Sequence, residues 1–189
     1  MTITLEVGAA PGRPALHLRP WRDADTEALI DAYGDARMRM FSRHAIADER
    51  TARTWLDIQR EGWATGARLS FAVLIDGESE DAPAGYVAVK RSDLSRTTGE
   101  VGYWVAARAR GQSIAPRALH TVSAWALSGG TGTALTRLDL IHAIDNDPSC
   151  RVAVKTGYRY RRDLPPDPPE FTTAGHLHIV TPESLTLPD

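Results

Sequence analysis

The segment GYWVAARARGQSIA, residues 102–115, decides how this chain folds. Its first residues, 102–106, belong to a strand that we predict at 100–106. It leads into residues 118–126, where apolar side chains recur at the i, i+3, i+4 spacing of one helix face. A basic loop with Arg108, Arg110 and Gly111 lies between the two. The segment therefore predicts a strand, a glycine-containing loop and the start of an amphipathic helix.

The predicted helix start is a candidate site for a phosphate-bearing ligand. Helix N-termini present free N–H groups and a positive dipole end, which bind anions. Gly111 allows the backbone to approach a ligand closely. Arg108 and Arg110 add cationic donors that suit phosphate. The alternative is an ordinary solvated loop in which Ser113 caps the helix.

Glycine and proline divide the rest of the chain into short elements. Before the segment, we predict strands at 16–21, 69–75 and 84–90, a strand at 100–106 that leads into it, and helices after Asp23–Asp25 and after Asp48. After it, we predict strands at 137–144, 158–160 and 176–180, with a short helix from an Asp147 N-cap and Pro148 to Gly157. A meander followed by a β-α-β-α-β run predicts one α+β domain over residues 1–189, with its core at about 16–180 and a mixed, mostly antiparallel twisted sheet flanked by helices.

Composition excludes several classes of protein. The 189 residues are 42% hydrophobic and 24% charged, which is typical of one soluble globular domain. A net charge of −2 gives no overall reason to expect a nucleic-acid or membrane partner, and no apolar run reaches about eighteen residues. The single Cys150 excludes an internal disulfide and favours a reducing compartment, the cytoplasm. We expect no metal, because the histidines are scattered apart from His176 and His178.

The basic loop and a second motif resemble those of a known family. Arg110-x-x-Ser113-x-Ala115, after Gly102-Tyr103-Trp104, resembles the cofactor motif Arg/Gln-x-x-Gly-x-Gly/Ala of the GNAT N-acetyltransferase superfamily. Asn146-x-x-Ser149, leading to Lys155-Thr156-Gly157-Tyr158, resembles its distal part. With LHLRPW at 16–21, the ordered set covers about residues 16–180 and looks closest to the RimJ/RimL-like branch.

This resemblance implies the GNAT fold and acetyl-CoA as the cosubstrate. It implies cofactor contacts from Val105, Arg108, Arg110, Gly111, Gln112, Ser113, Ile114, Ala115 and Asn146. The implied function is transfer of an acetyl group to a primary amine, on a protein N-terminus or a small molecule. The alternative is a GNAT-fold module that binds acyl-CoA without catalysis. A dinucleotide-dependent oxidoreductase is excluded, since no G-x-G-x-x-G follows an early strand.

Two positions depart from the family pattern. Ser113 stands where the motif has glycine, so either its hydroxyl donates to phosphate or the loop shifts. Ala153 stands where many members carry a tyrosine as general acid. In the RimL-like branch a serine three residues after the asparagine is the proposed substitute, here Ser149. The alternative for Ser149 is a helix-start serine that bonds local backbone groups.

Glu100 is the predicted general base. It opens the strand that leads to the loop, where many family members carry an acidic residue, and it shares a strand face with Gly102 and Trp104. The alternative is a solvated carboxylate at the end of a strand. His142 is interpreted as a packed core residue. Backbone N–H groups at Val105 or Ala106 are expected to polarise the thioester carbonyl.

The acceptor is not identified by the sequence. The resemblance places its pocket near residues 23–66 and 160–178. Those segments contain Arg37, Arg39, His44, Trp55, Trp63 and a proline-rich loop at 164–169. The sequence does not determine the oligomeric state, so a homodimer is compatible with it.

Overall fold

The computed structural model describes residues 3–42, 45–91, 93–94, 97–168 and 172–188. Its strands are β1 (Leu5–Val7), β2 (Leu16–Pro20), β3 (Arg68–Ile75), β4 (Gly85–Lys90), β5 (Thr98–Val105), β6 (Arg137–Ala143), β7 (Arg159–Leu164) and β8 (Gly175–Val180). Its helices are α1 (Thr26–Gly34), α2 (Ala36–Phe41), α3 (Glu49–Thr65), α4 (Ile114–Leu127) and α5 (Asp147–Lys155). Short 3-10 turns, Asp23–Asp25 and Ala107–Ala109, lie before α1 and α4.

Within the described residues, eight strands form one sheet in the order β1-β2-β3-β4-β5-β6-β8-β7. β1 to β5 form an antiparallel meander, of which the sequence analysis predicted β2 to β5. β6 pairs in parallel with β5, and the crossover between them contains α4. The sheet is therefore mixed and mostly antiparallel, which confirms the predicted α+β fold.

The two faces of the sheet bury different clusters of side chains. On β4, Val87 and Val89 belong to the larger cluster with α4, whereas Tyr86 and Ala88 belong to a second cluster with α1, α2 and α3. This separation follows from the alternation of side chains along a strand. We call these the α4 face and the α1 face of the sheet.

Helix ends follow local capping chemistry. The Asp48 carboxylate accepts the N–H of Thr51 at 2.8 Å and starts α3, as predicted. The predicted Asp147 N-cap of α5 is wrong by one residue, because Asn146 occupies that position and Asp147 is already helical. Gly157, with φ at 82°, follows α5 as the expected C′ glycine.

Two elements escape the sequence analysis. β1 has only three residues, and α2 has six residues without a long apolar repeat. The N–H of Met38 binds the Asp35 carboxylate at 2.8 Å, which caps α2. In the part of the chain that the structure describes, no helix combines the length and apolar character needed to cross a membrane.

Candidate active site

β5 and β6 pair over only part of their length. Thr98–Val101 pair with Arg137–Leu140, but β5 continues to Val105 and β6 to Ala143. The strands therefore part in the middle of the sheet. α4 follows β5 and α5 follows β6, so both helices begin at this end of the parallel pair. The gap lies near two helix N-termini, whose N–H groups attract anions.

A cavity of about 660 Å³ lies at this gap, a volume typical of small-molecule sites. Its lining includes nine of the residues that the sequence analysis selected: Glu100, Val105, Arg110, Gly111, Ser113, Ile114, Ala115, Asn146 and Ser149. Arg108 and Gln112 are not among the lining residues. Most of the predicted site is thus brought to one place.

The loop before α4 has an unusual backbone. Gly111 has φ at 80°, and a Cβ there would meet no atom within 4 Å, so glycine is needed for conformation rather than for space. Ser113 has φ at 57° and, among the described residues, is the only non-glycine residue with positive φ. Its side chain makes no capping hydrogen bond to α4, contrary to the solvated-loop interpretation. Ser113 therefore adopts a left-handed conformation, which glycine adopts more readily than serine.

The two arginines of the loop have different partners. Arg110 lines the cavity and donates to Asp35 at 2.6 Å and to the Val105 carbonyl at 3.3 Å. The hydrogen bond from Arg110 lowers the pKa of Asp35. Arg108 donates to Glu78 at 2.7 Å and to the Ala82 carbonyl, in the connection between β3 and β4. The structure places Arg110 at the cavity and Arg108 beside it.

Glu100 lies on the α1 face, on the same side of β5 as Trp104. Its Oε1 accepts a hydrogen bond from Nζ of Lys90 at 2.7 Å, and the two residues are register partners on β5 and β4. Their side chains are 32% and 27% exposed. The Glu100 carboxylate thus lies in direct contact with an opposite charge.

Aromatic rings lie on the same face of the sheet, towards the end of β5. Trp104 stacks on Tyr86 with centroids 6.0 Å apart and meets Tyr33 edge-on at 6.0 Å. Burial raises the pKa of both tyrosines, which keeps their phenols neutral. Trp55 completes this wall of the cavity. The α1 side therefore presents one ion pair within an apolar, aromatic surface.

The start of α5 forms another part of the wall. The Asn146 amide oxygen accepts the N–H of Ser149 at 3.4 Å, a long capping bond. Ser149 lies beside the phenol of Tyr103, and burial raises the pKa of that phenol to about 12. Ala153 is fully buried in the core, so no proton donor is available there. Two hydroxyl groups, on Ser149 and Tyr103, lie at this wall instead.

Backbone donors at the end of β5 differ in availability. The N–H of Ala106 donates to the Ala84 carbonyl at 2.8 Å, so the expectation that it polarises a ligand carbonyl is wrong. Alternate residues of a strand direct their N–H groups to opposite sides. The N–H of Val105 is therefore directed away from β4 and towards the gap.

The segments predicted to bind the acceptor contribute only in part. Arg37 and Trp55 line the cavity. Trp63 packs on Phe71 on the α4 face, and Arg39 donates to the Gly34 carbonyl. His44 and Pro169 lie outside the described residues. The α1–α3 part of the prediction is therefore partly supported.

A family model described as "Acetyltransferase (GNAT) domain" matches residues 15–159. This chain belongs to the GNAT acetyltransferase family. The match confirms the resemblance drawn from the Arg110–Ala115 and Asn146–Ser149 motifs. No curated protein sequence matches the chain significantly.

Solved structures share the fold of this GNAT protein. Mycobacterium smegmatis RimJ in complex with a CoA-disulfide has 22% identity and a TM-score of 0.73, covering 96% of this chain and 87% of that one. RimL, a ribosomal L7/L12 alpha-N-protein acetyltransferase in complex with coenzyme A, has 14% identity and a TM-score of 0.75, with 88% and 93% covered. The microcin C7 self-immunity acetyltransferase MccE, in complex with acetyl-CoA and AMP, has 14% identity and a TM-score of 0.74, with 88% and 92% covered. At these identities the likeness concerns the fold.

Several cavity residues were missed by the sequence analysis. Lys90 was recoverable, because the strand order predicted that β4 and β5 are neighbours. Tyr103 was not selected as a site residue, although it shares the Gly-Tyr-Trp motif with Trp104. Arg151 and Lys155, four residues apart on α5, add two cations to the cavity wall. The sequence shows their four-residue spacing, but it does not show that α5 lies beside the gap.

Proposed function

We propose that this GNAT protein transfers an acetyl group from acetyl-CoA to a primary amine. The observation that carries the proposal is the cavity at the gap between β5 and β6, which is lined by the start of α4 and by Glu100. The N–H groups at the start of α4 suit the phosphates of a nucleotide-bearing thioester. The carboxylate of Glu100 suits an amine that must lose a proton. Two ligands that enter from opposite sides of the sheet would meet at the gap.

The α4 side fits acetyl-CoA through its own polar groups. Gly111 and residues 113–115 bring backbone N–H groups and the Ser113 side chain to the cavity, and Arg110 adds a cation. The N–H of Val105 is directed into the gap, where it would polarise a carbonyl oxygen. Bound acetyl-CoA supplies the activated acyl group. The CoA and acetyl-CoA complexes of RimL and MccE support this assignment.

The acceptor amine has to be neutral before it attacks. At pH 7 deprotonation costs roughly 4–5 kcal/mol for a lysine amine and about 1 kcal/mol for a protein α-amine. We assign this proton to Glu100, whose carboxylate lines the cavity and accepts a hydrogen bond from Lys90 at 2.7 Å. A direct attack by the amine needs no side-chain nucleophile. The proton for the departing thiolate would come from Ser149, with the Tyr103 phenol beside it.

The acceptor class is proposed as a protein N-terminus or a small amine. RimL is named as a ribosomal L7/L12 alpha-N-protein acetyltransferase, and MccE for self-immunity to microcin C7. Both kinds of acceptor would meet the aromatic wall of Tyr33, Trp55 and Trp104, which binds apolar parts of a substrate. We further propose a cytoplasmic location and an acetyltransferase core at about residues 16–180.

The first experiment is a thermal unfolding series with acetyl-CoA. A ligand that binds only the native state raises the stability, by about 2.7 kcal/mol at 100 times its dissociation constant. We expect a saturable rise in Tm with acetyl-CoA and a smaller one with adenosine alone. An unchanged Tm at millimolar acetyl-CoA would contradict the proposal.

The second experiment measures thiol release with a panel of peptides and small amines. Amine-dependent release of CoA supports an enzyme. Tight binding of acetyl-CoA without release for any amine would instead favour an acyl-CoA-binding module, in keeping with the missing acid at Ala153.

A further inference from the structure

Four metal-binding side chains converge on the α4 face, beside the cavity. They are His142 on β6, Cys150 on α5, and His176 and His178 on β8, and we call them the His-Cys cluster. One ligand atom of each lies within 4.8 Å of those of the other three. His142 and His178 are buried, and the other two are partly exposed. Histidines that are scattered in the sequence are therefore gathered by the pairing of β6 with β8.

The measured distances are those of a tetrahedral metal site. Nε2 of His142 lies 3.2 Å from Nε2 of His178, and Sγ of Cys150 lies 3.8 Å from the same nitrogen. Metal–nitrogen bonds of about 2.05 Å and a metal–sulfur bond of about 2.3 Å at tetrahedral angles place ligand atoms about 3.3 Å and about 3.6 Å apart. These two pairs of atoms are close to that geometry, and the remaining ligand atoms lie within 4.8 Å of one another.

Hydrogen bonds behind the cluster orient the imidazoles. Nδ1 of His142 lies 2.8 Å from the Ala143 carbonyl and must carry its proton there, which leaves the Nε2 lone pair directed at His178. Nε2 of His176 lies 3.4 Å from an Asp163 oxygen, while its Nδ1 is buried without a hydrogen-bond partner. A carbonyl or carboxylate behind a ligating histidine is a regular feature of metal sites.

We propose that the His-Cys cluster binds one Zn²⁺ ion. Imidazole and thiolate are the ligands that zinc prefers, and a set of four protein ligands closes the coordination sphere. A closed site is structural rather than catalytic. The ion would bind Nδ1 of His176 and would replace the hydrogen bond between Nε2 of His142 and Nε2 of His178.

The site would fix the helix that forms one wall of the cavity. Cys150 follows Ser149 directly, and Asn146 begins the same helix. Zinc would tie α5 to β6 and β8 and so hold Ser149 and Asn146 beside the gap. This inference does not depend on the acetyl-transfer proposal.

Cobalt titration of metal-free protein tests the site directly. We expect binding of one Co²⁺ per chain, with the visible absorption of tetrahedral cobalt and a thiolate-to-cobalt charge-transfer band, and displacement by one Zn²⁺. Zinc should also raise the Tm of the protein. Absence of stoichiometric binding, or binding without a thiolate band, would overturn the proposal.

Variants assign the ligands. Cys150→Ala and His176→Ala remove partly exposed ligands, and each should lower zinc affinity by more than the 10–100-fold typical of losing a partner behind a ligand. His120→Ala, a partly exposed histidine on α4 outside the cluster, is the matched control and should not change it. Equal affinity in all three variants would refute the assignment.

A milder variant guards against misfolding. Asp163→Asn changes an exposed side chain behind His176 and should weaken zinc binding by about 10–100-fold, whereas the exposed Asp167→Asn should not. Circular dichroism of the metal-free variants shows whether each one folds. Unchanged zinc affinity in Asp163→Asn, together with a folded Cys150→Ala that still binds zinc, would exclude the site.

Discussion

The two sides of the cavity differ in the groups that form them: backbone groups on the α4 side and side chains on the α1 side. On the α4 side, the wall of the cavity consists mainly of backbone groups, at the start of a helix, at Gly111 and at the left-handed Ser113. On the α1 side, the wall consists of side chains from separate elements, with Glu100 paired to Lys90 and aromatic rings on the same face. A backbone site suits a cosubstrate that a whole family shares. A side-chain site can change with each acceptor.

Glu100→Gln should produce the largest effect and should act on the α1 side alone. Removal of a general base lowers kcat by about 100-fold or more, while the acetyl-CoA dissociation constant should stay unchanged. Steady-state kinetics and calorimetric titration measure the two quantities. Asp139→Asn, on the neighbouring strand and outside the cavity lining, is the control. An unchanged kcat, or an equal loss of cofactor affinity, would break the separation of the two sides.

Arg110→Ala should be next in size and should act on the α4 side. Hydrogen bonds to charged groups contribute about 1.5–3 kcal/mol, so the acetyl-CoA dissociation constant should rise roughly 10-fold or more. Arg108→Ala is the matched comparison, since Arg108 is paired with Glu78 outside the cavity lining. Equal effects would mean that Arg108 leaves Glu78 when the cosubstrate binds, as the sequence motif implies.

Ser113 tests whether the α4 side is set by conformation or by its hydroxyl. The left-handed conformation costs a non-glycine residue roughly 1–2 kcal/mol, and the extra freedom of unfolded glycine offsets roughly 0.5–1 kcal/mol. Ser113→Gly should therefore stabilise the fold by up to about 1 kcal/mol, a rise in Tm of about 2–4 °C. Ser113→Ala should not stabilise it. If the hydroxyl donates to phosphate, both variants should weaken acetyl-CoA binding. If both variants bind acetyl-CoA as tightly as the parent, the hydroxyl does not contact the phosphate.

The ion pair between Asp35 and Arg110 connects α2 to the cofactor loop, and its loss should have the smallest effect. The hydrogen bond from Arg110 and the N–H of Met38 lower the pKa of Asp35 in the folded state. Its stabilisation is therefore present above the unfolded pKa of about 4 and is lost as the pH falls through the lower folded value. Asp35→Asn should be less stable than the parent by at most about 1 kcal/mol at pH 7.

Urea unfolding at several pH values checks this last expectation. The difference in the free energy of unfolding should shrink below about pH 4, because the parent carboxyl becomes protonated there. The exposed Asp31→Asn should show no such difference at pH 7. A difference that does not change with pH would mean that capping of α2, and not charge, explains the loss.

The same contrast explains what the sequence could predict. Strands, helix caps and the Arg110–Ala115 motif are local patterns, and most of them appear within a few residues of their predicted bounds. The partners of Glu100 and His142 depend on strand pairing between distant segments. Lys90 was within reach through the hairpin register. The His-Cys cluster was not, because its members meet only through the pairing of β6 with β8 and the placement of α5.

The parting of β5 from β6 creates an edge inside the sheet. Beyond Val101 and Leu140, the inward-facing peptide groups of both strands lack a partner strand. Such groups are ready to pair with an extended, amide-containing ligand, as an exposed edge strand pairs with a peptide. Hydrogen–deuterium exchange should therefore be fast at the N–H of Val105 in the free protein. Exchange at Val105 should slow when a ligand occupies the gap. Exchange at the outer edge strands of the sheet should stay the same.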